Sequence, residues 1–310
     1  MDYLPWKNLA ISARPKQWLK NLALFAALIF SGNLFERALF IRVSWAFIIF
    51  SLLASSIYFL NDIIDIPRDQ LHPVKKDRPI SRGDIPVPLA FFFSLVGTML
   101  ALYLALWLSP FFFFTCLTYV LLQIIYSFWL KNITILDVLI IAASFILRVY
   151  AGAFVISAHL SVWFLLCVIS MALFLSVGKR RSELNILAEQ ASQHRKTLAL
   201  YSKELLDQYL AIFASSTWMA WSLFTFFEPP PLVHQLHFLA RFPLTLAGIN
   251  KWLMMTIPIV IYGIMRYLRI IQTGAKAESP EKVLLSDKPL LASVLIWGLI
   301  IVAIIYGGSL

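Results

Sequence analysis

Three aspartates stand where a long apolar segment ends, at a spacing that would place them on one face of a helix. Asp62, Asp65 and Asp69 follow the apolar residues 43–60. At about 100° per residue, they lie within about 60° of one another around a helix axis. Carboxylates held this close repel one another unless a cation joins them. Because all of their ligating atoms are oxygens, the pattern predicts a magnesium site that also takes substrate phosphates.

The aspartate stripe also has a simpler interpretation. A solvated acidic helix end, paired with Arg68, Lys75 or Lys76, would also gather several carboxylates, although the spacing favours the metal site. Pro67 falls inside the stripe. It predicts a kink or an end of the helix there, because proline has no N–H for the helical ladder. Such a kink would turn Asp69 towards the pocket.

Basic residues follow the aspartates directly. Lys75, Lys76, Arg78 and Arg82 lie in the polar stretch that ends at Gly83. If carboxylates bind a metal and the metal bridges a diphosphate, Lys and Arg side chains can neutralise the remaining phosphate charge. The alternative is that these cations contact anionic lipid headgroups. The five histidines show no metal-ligand spacing, so the candidate site consists of the aspartates and these cations.

The elements that must position this site are membrane helices. The mean hydropathy is +0.81, and 60% of the residues are apolar, against about 45–50% in soluble domains. Many apolar blocks approach the roughly 20 residues that a helix needs to cross a bilayer. In lipid, each block must satisfy its own backbone hydrogen bonds. The sequence therefore predicts an all-α polytopic membrane protein with nine spans, at residues 22–36, 43–60, 87–107, 111–128, 136–157, 161–178, 208–227, 252–271 and 290–308.

The basic residues are segregated between the two sides of these spans. Counting Arg266 and Arg269 at the end of the eighth span, 21 Lys and Arg lie on one side and 4 on the other. Positive charge marks the cytoplasmic side. We therefore expect a multi-pass protein of the cell (inner) membrane, with the N-terminus and the site inside and the C-terminus outside. The net charge of +10 is explained by this asymmetry, and no nucleic-acid partner is expected.

The chain reads as a single domain, residues 1–310, embedded in the lipid bilayer. The connections at residues 61–86 and 179–207 are long and charged, whereas those at 108–110 and 158–160 are short and have few polar residues. We therefore expect the catalytic site on the side of the charged connections. Both cysteines, Cys116 and Cys167, fall inside spans, which argues against disulfides or a cysteine metal site. The sequence leaves a homo-oligomer open.

The aspartate segment resembles a known motif. The pattern NDxxDxxxDxxHPxKxxRPIxxG, at residues 61–83, is similar to the first aspartate-rich motif of the UbiA prenyltransferase superfamily. The resemblance implies an intramembrane enzyme of nine helices in which magnesium activates a diphosphate. Family members usually carry a second acidic motif after the sixth span. Here that position holds Gly178-Lys179-Arg180-Arg181-Ser182-Glu183, with basic residues where aspartates would be expected.

This departure resembles one branch of the superfamily, the decaprenyl-phosphate phosphoribosyltransferases of cell-wall biosynthesis. The resemblance implies a glycosyltransferase with phosphoribosyl diphosphate as donor and a polyprenyl phosphate as acceptor. A site for such substrates needs more cations than one that receives a neutral acceptor. Besides the aspartate motif, the matching segments are residues 14–21, residues 126–131 with Asp137, residues 148–152, residues 178–180 with Glu183, and residues 279–287.

The resemblance assigns roles to individual side chains. Asp62, Asp65 and Asp69 are the expected catalytic and metal-binding residues, with Mg2+ as cofactor. Asp137 has the alternative role of a helix N-terminal charge, and Arg148 that of an internal hydrogen-bond partner. The expected substrate-binding residues are Lys20, Asn61, Lys75, Arg78, Tyr126, Lys131, Asp137, Arg148, Lys179 and Arg180.

Two other functions stay open at this point. A UbiA-type prenyltransferase would join an isoprenoid diphosphate to an aromatic or other small acceptor, but the basic stretch at Lys179 and Arg180 argues against it. A transporter would also explain many helices and buried charge. It would predict broken helices or paired repeats near the midplane, whereas the acidic residues here gather at one rim.

Overall fold

The computed structural model describes residues 6–72, 75–187, 200–228, 252–273 and 279–307. All regular structure in these residues is helical. The α-helices are α1 Trp6–Ala13, α2 Phe25–Phe30, α3 Arg37–Asp69, α4 Pro79–Arg82, α5 Val87–Leu108, α6 Pro110–Phe128, α7 Leu136–Val155, α8 Val162–Leu187, α9 Lys203–Phe227, α10 Ile257–Gln272, α11 Pro280–Ser286 and α12 Lys288–Tyr306. Four 3-10 helices accompany them, at Pro15–Leu24, Lys75–Asp77, Leu130–Asn132 and Trp252–Thr256.

The described residues contain eight helices that are long and apolar enough to cross a membrane. These correspond to the second to ninth predicted spans. The first predicted span, 22–36, differs from the structure: the 3-10 helix Pro15–Leu24 leads into the short helix α2, and Gly32 turns the chain with a φ of 78°. A 3-10 helix rises about 2 Å per residue, so the two pieces together extend roughly 29 Å, close to the bilayer's ~30 Å core. The polytopic helical bundle is confirmed.

Helix α3 carries the whole aspartate stripe. It runs for 33 residues and ends at Asp69, with Pro67 inside its last turn. Of the two predicted outcomes at Pro67, a kink or an end, the end is therefore wrong. Proline removes only its own N–H from the helical ladder, and the helix needs just two more residues to reach Asp69. All three aspartates consequently project from one helix end.

The first apolar segment packs unusually closely against α7. At Gly152, an added Cβ would lie 1.9 Å from the Leu24 carbonyl oxygen, so only glycine fits there without a shift of the backbone. The polar side chain Asn21 lies next to this contact and is buried. The close approach fixes the 3-10 helix, and with it Lys20, against the middle of the bundle.

One end of the bundle holds most of the charged groups. There α3, α6, α8 and α10 end, and α5, α7, α9 and α12 begin, while the short helices α1, α4 and α11 lie across them. The predicted loops at 61–86 and 179–207 belong to this end, although 73–74 and 188–199 lie outside the described residues. Residues 229–251, between the seventh and eighth predicted spans, lie outside them as well.

Candidate active site

The aspartate stripe on α3 is held by cations that come from other elements. Asp62 is 1% exposed. It pairs with the guanidinium of Arg14, which directly precedes the 3-10 helix, and with Arg78 Nη1 at 3.0 Å. The Arg14 guanidinium also lies 4.9 Å from the centre of the Tyr58 ring. Because a buried carboxylate is costly unless paired, Arg14 and Arg78 offset the cost of burying Asp62 inside the protein.

The other two aspartates have their own partners. Lys131 Nζ donates to Asp65 Oδ1 at 2.5 Å, and the Lys131 side chain is almost fully buried. Arg78 Nη1 donates to Asp69 Oδ2 at 2.6 Å, with Ser81 Oγ at 3.5 Å from the same oxygen. The structure thus brings two predicted cationic residues, Arg78 and Lys131, together with the three aspartates. Arg14 is an addition to that set.

The donor atoms of this cluster suit magnesium, although the side chains do not form a complete metal site. Within the described ranges, no three acidic, histidine or cysteine side chains are close enough to hold a metal on their own. Asp62 and Asp65 offer hard oxygen ligands, and Asp65 is the more accessible, with 29% of its side chain exposed. Magnesium commonly completes its shell with substrate phosphate and water. The residues present therefore fit a metal that arrives with its diphosphate.

The 3-10 helix Pro15–Leu24 joins this cluster to α11. Its period of three residues places Arg14, Gln17 and Lys20 along one side. Arg14 contacts Asp62, the Gln17 amide donates to Glu281 Oε1, and Lys20 Nζ lies 3.1 Å from Glu281 Oε2. Lys20 also donates to Gln17 Oε1 at 2.5 Å. One side of this 3-10 helix therefore contacts two carboxylates, Asp62 and Glu281, that lie far apart in sequence.

Glu281 and Lys20 are both ionisable groups in a largely buried setting. Burial opposes ionisation of Glu281, but the Lys20 ammonium and hydrogen bonds to the carboxylate outweigh it and hold the pKa of Glu281 below its ordinary value. The two groups form an ion pair, with 3.1 Å between Glu281 Oε2 and Lys20 Nζ.

Arg180 lies at the centre of a second, fully buried network. Its Nε is 2.6 Å from Asp137 Oδ2, and neither side chain is exposed. Its Nη1 contacts Glu183 Oε2 at 2.5 Å, and its Nη2 donates to the Tyr126 hydroxyl at 2.9 Å. The network links α6, α7 and α8 at the charged end. It places Arg180, Asp137 and Tyr126 together as predicted, but inside the protein wall.

Tyr201 completes this second network. Its hydroxyl donates to Asp137 Oδ1 at 2.8 Å and accepts from the Ile135 N–H at 2.8 Å. Ile135 has a φ of 73°, which is rare for a β-branched residue. The connection between α6 and α7, which contains Lys131, is therefore held by the side chain of Tyr201, just before α9 begins.

Lys179 differs from its neighbour Arg180. It is half-buried, and within the described part of the chain it makes no hydrogen bond or ion pair. The charges nearest to it include Glu183 and Lys20. An ammonium in this position is available to an anionic ligand, whereas Arg180 is already neutralised.

The remaining predicted residues lie around the stripe or deeper in the bundle. Asn61 accepts a hydrogen bond from Ser127, and Lys75 follows His72, whose Nδ1 accepts from the Lys75 N–H at 3.2 Å. Arg148 is 3% exposed. It donates to Asn21 Oδ1 at 2.8 Å and to the Tyr119 hydroxyl at 3.3 Å. The described residues give Arg148 no carboxylate partner, only neutral acceptors and aromatic faces.

An apolar cavity of about 480 Å³ opens beside the charged cluster. Lys20 and Glu281 lie in its wall, and it extends between α7, α8, α9, α10 and α12 to Phe30, Trp221 and Trp297. Apart from that charged pair, its wall consists mainly of aliphatic and aromatic side chains. The site thus combines a rim rich in charge with a long apolar compartment, which suits a substrate that has a phosphate head and a hydrocarbon tail.

The comparison with protein families agrees with this arrangement. A model of the UbiA prenyltransferase family matches residues 22–285. The chain belongs to the UbiA prenyltransferase family. It is therefore a membrane-embedded transferase, and the resemblance to this family is confirmed.

Two curated UbiA-family relatives and one solved structure are similar over nearly the whole chain. The decaprenyl-phosphate phosphoribosyltransferase of Mycolicibacterium smegmatis is 32% identical, over 94% of this chain and 92% of that protein. The decaprenyl-phosphate phosphoribosyltransferase of Corynebacterium glutamicum is also 32% identical, over 97% of this chain and 89% of that protein. A UbiA homolog from Archaeoglobus fulgidus, solved bound to GPP and Mg2+, has a TM-score of 0.68 at 17% identity and covers 96% of this chain and 99% of its own. This last likeness concerns the fold.

The sequence alone did not assign a role to some residues of this site. Arg14, Gln17 and Glu281 contact the cluster or the cavity, and Tyr201 fixes the second network. Three of them lie in segments that the sequence had already singled out, at residues 14–21 and 279–287. Their pairing across the bundle was not visible, because nothing in the sequence indicates which helix ends meet.

Proposed function

We propose that this transferase moves the 5-phosphoribosyl group of phosphoribosyl diphosphate to a polyprenyl phosphate and releases diphosphate, with magnesium. One observation carries the proposal. The cluster around Asp62, Asp65 and Asp69, which contains as many cations as carboxylates, adjoins an apolar cavity of about 480 Å³ at Lys20 and Glu281. A phosphorylated sugar and a lipid phosphate need that combination. The names of the two curated relatives support the same substrate pair.

The basic residues Lys179 and Arg180, which follow the apolar part of α8, support the choice of donor. The proposed donor carries a 5-phosphate besides its diphosphate, and the acceptor adds a third phosphorylated group. Within the described residues, Lys179 makes no hydrogen bond or ion pair, so its side chain is available to an anion. The charge of Lys20 acts on it. Opposite-charge contacts of this kind neutralise phosphate oxygens efficiently. An acidic second motif would instead repel the additional phosphate.

The aspartates have a defined role in this proposal. Asp62 and Asp65, with Asp69 beside them, would hold magnesium together with the diphosphate. When bound, the metal supplies Lewis-acid stabilisation of the leaving diphosphate. Arg14, Arg78 and Lys131 now neutralise the three carboxylates, and the same side chains are close enough to the stripe to bind diphosphate oxygens there.

The acceptor needs little chemical activation. A lipid phosphate is already an anion at neutral pH, so it can attack C1 of the ribose without a general base. This agrees with the site, since the described histidine next to it, His72, accepts a hydrogen bond from the backbone. The polyprenyl tail would enter the apolar cavity through a lateral opening between helices.

The proposal is tested with purified protein, labelled phosphoribosyl diphosphate and a polyprenyl phosphate, with and without magnesium. We expect a phosphoribosyl lipid that forms only with the metal. A second arm offers equal concentrations of phosphoribosyl diphosphate and geranyl diphosphate, together with a polyprenyl phosphate and an aromatic acceptor, and resolves the products by mass. Prenyl transfer to an aromatic acceptor, with no phosphoribosyl lipid, would contradict the proposal and favour a prenyltransferase.

A further inference from the structure

Glu281 lies at the border between the charged rim and the apolar cavity. Helix α11 carries it, it is 4% exposed, and it forms part of the cavity wall next to Lys20. The Gln17 amide holds one carboxylate oxygen, and Lys20 Nζ lies 3.1 Å from the other. The segment that carries Gln17 and Lys20 also brings Arg14 to Asp62, so the same short stretch of chain contacts Glu281 and the aspartate stripe.

The Glu281 carboxylate has acceptor capacity that the protein leaves unused. A carboxylate can accept about four hydrogen bonds. Oε1 accepts one from Gln17, and the fully buried Oε2 is ion-paired with Lys20 Nζ at 3.1 Å. A carboxylate that two partners hold at the cavity wall can still receive a donor that arrives with a ligand.

The proposed substrates contain few groups that could fill this position. Phosphates are anions and are repelled by a carboxylate, and the polyprenyl tail has no hydrogen-bond donor. The vicinal hydroxyls of the ribose ring are the donors that remain. An isoprenoid diphosphate would offer none.

We infer that Glu281 accepts a hydrogen bond from the ribose hydroxyls of the donor and thereby selects a ribosyl over a deoxyribosyl or isoprenoid donor. The inference rests on the proposed function. Gln17 and Lys20 are positioning residues here, because they hold the carboxylate at the cavity wall. A site built to bond a hydroxyl discriminates strongly against a ligand that lacks it, since its own polar group is then left unpaired.

The test separates sugar recognition from charge neutralisation. Calorimetry on the full-length protein in detergent compares the Kd of ribose 5-phosphate with those of its 2-deoxy and 3-deoxy counterparts. For the wild type, we expect at least one deoxy sugar to bind roughly tenfold or more weakly. In Glu281→Gln, that ratio should shrink towards one while phosphate binding persists. Glu228→Gln is the matched control, because Glu228 also accepts a hydrogen bond, from Ser161 at 2.6 Å, at the opposite end of the bundle.

The outcomes distinguish this inference from the proposed function. Equal Kd values for all three sugars in the wild type would overturn the inference, even if Glu281→Gln failed to fold. An unchanged ratio in a folded Glu281→Gln would overturn it as well, and a shift only in the magnesium dependence would assign Glu281 to the metal instead. Failure of phosphoribosyl transfer, measured separately, would count against the proposed function.

Discussion

The Arg180 guanidinium lies 2.6 Å from the Asp137 carboxylate, and both side chains are completely buried. The pair joins α7 to α8, and Glu183 contacts the same guanidinium. Basic residues after the sixth span suggested substrate ligands, whereas this geometry gives Arg180 a second, structural role. The two roles make different predictions for Arg180 and for its neighbour Lys179.

Replacing Arg180 should destabilise the protein. Arg180→Met removes the cation beside Asp137, and breaking a buried ion pair by deleting one partner costs about 3–5 kcal/mol. We expect a clearly lower midpoint of thermal unfolding in detergent, with a smaller loss in Arg180→Lys. An unchanged midpoint together with a raised donor KM would instead make Arg180 a substrate ligand.

Replacing Lys179 should leave the fold intact and weaken substrate binding. Lys179 makes no hydrogen bond or ion pair in the part of the chain that the structure describes, so Lys179→Ala breaks no contact there. A charge-assisted bond to phosphate is worth roughly 1.5–3 kcal/mol, so KM for donor or acceptor should rise roughly tenfold or more. Lys203→Ala, at an exposed position that has no role in the site, is the control. Equal kinetics in the two variants would remove Lys179 from the site.

Asp65 should be essential for turnover. Asp65→Asn takes away the most accessible oxygen ligand of the stripe and the partner of Lys131. Loss of a group that stabilises the leaving charge typically lowers kcat by about 10²–10³, and the effect should be largest at limiting magnesium. Asp77→Asn, nearby and exposed, should keep the wild-type rate. A normal rate for Asp65→Asn at limiting magnesium would contradict the metal assignment.

Gly152 should tolerate no side chain. In Gly152→Ala, the new methyl group would lie 1.9 Å from the Leu24 carbonyl oxygen, and such overpacking costs about 1–3 kcal/mol. Because the 3-10 helix would have to move, the position of Lys20 should change and KM should rise as well. In Gly298→Ala, no atom lies within 4 Å of the added methyl, and helix propensity predicts a gain of about 0.5–1 kcal/mol. Equal unfolding midpoints for both variants would contradict this packing argument.

The orientation in the membrane can be tested with single cysteines. Both native cysteines, Cys116 and Cys167, are buried, so background labelling should be low. The charge asymmetry places Asp77 inside and His159 outside, and both are exposed. An impermeant maleimide added to intact cells should label His159→Cys and not Asp77→Cys. The reverse pattern would invert the proposed topology.

The sequence by itself determined eight of the nine predicted spans and the aspartate stripe. Both depend on local properties, since a span requires only enough consecutive apolar residues and the stripe only the helical period. Even Pro67 could not disrupt the stripe, because the helix had only one short turn left to complete. The segregation of Lys and Arg could also be read from the sequence, and it identified the charged end of the bundle.

Only the tertiary structure decided which charges meet. Gln17 and Glu281 are 264 residues apart, and Arg14 and Asp62 are 48 apart. Their pairing depends on which helix ends pack together, and side-chain types alone do not specify that. Burial was decided at the same level: Lys179 and Arg180 are adjacent and chemically alike, yet about 100° of helix rotation separates them. That rotation leaves Lys179 available to a ligand and buries Arg180 between two carboxylates.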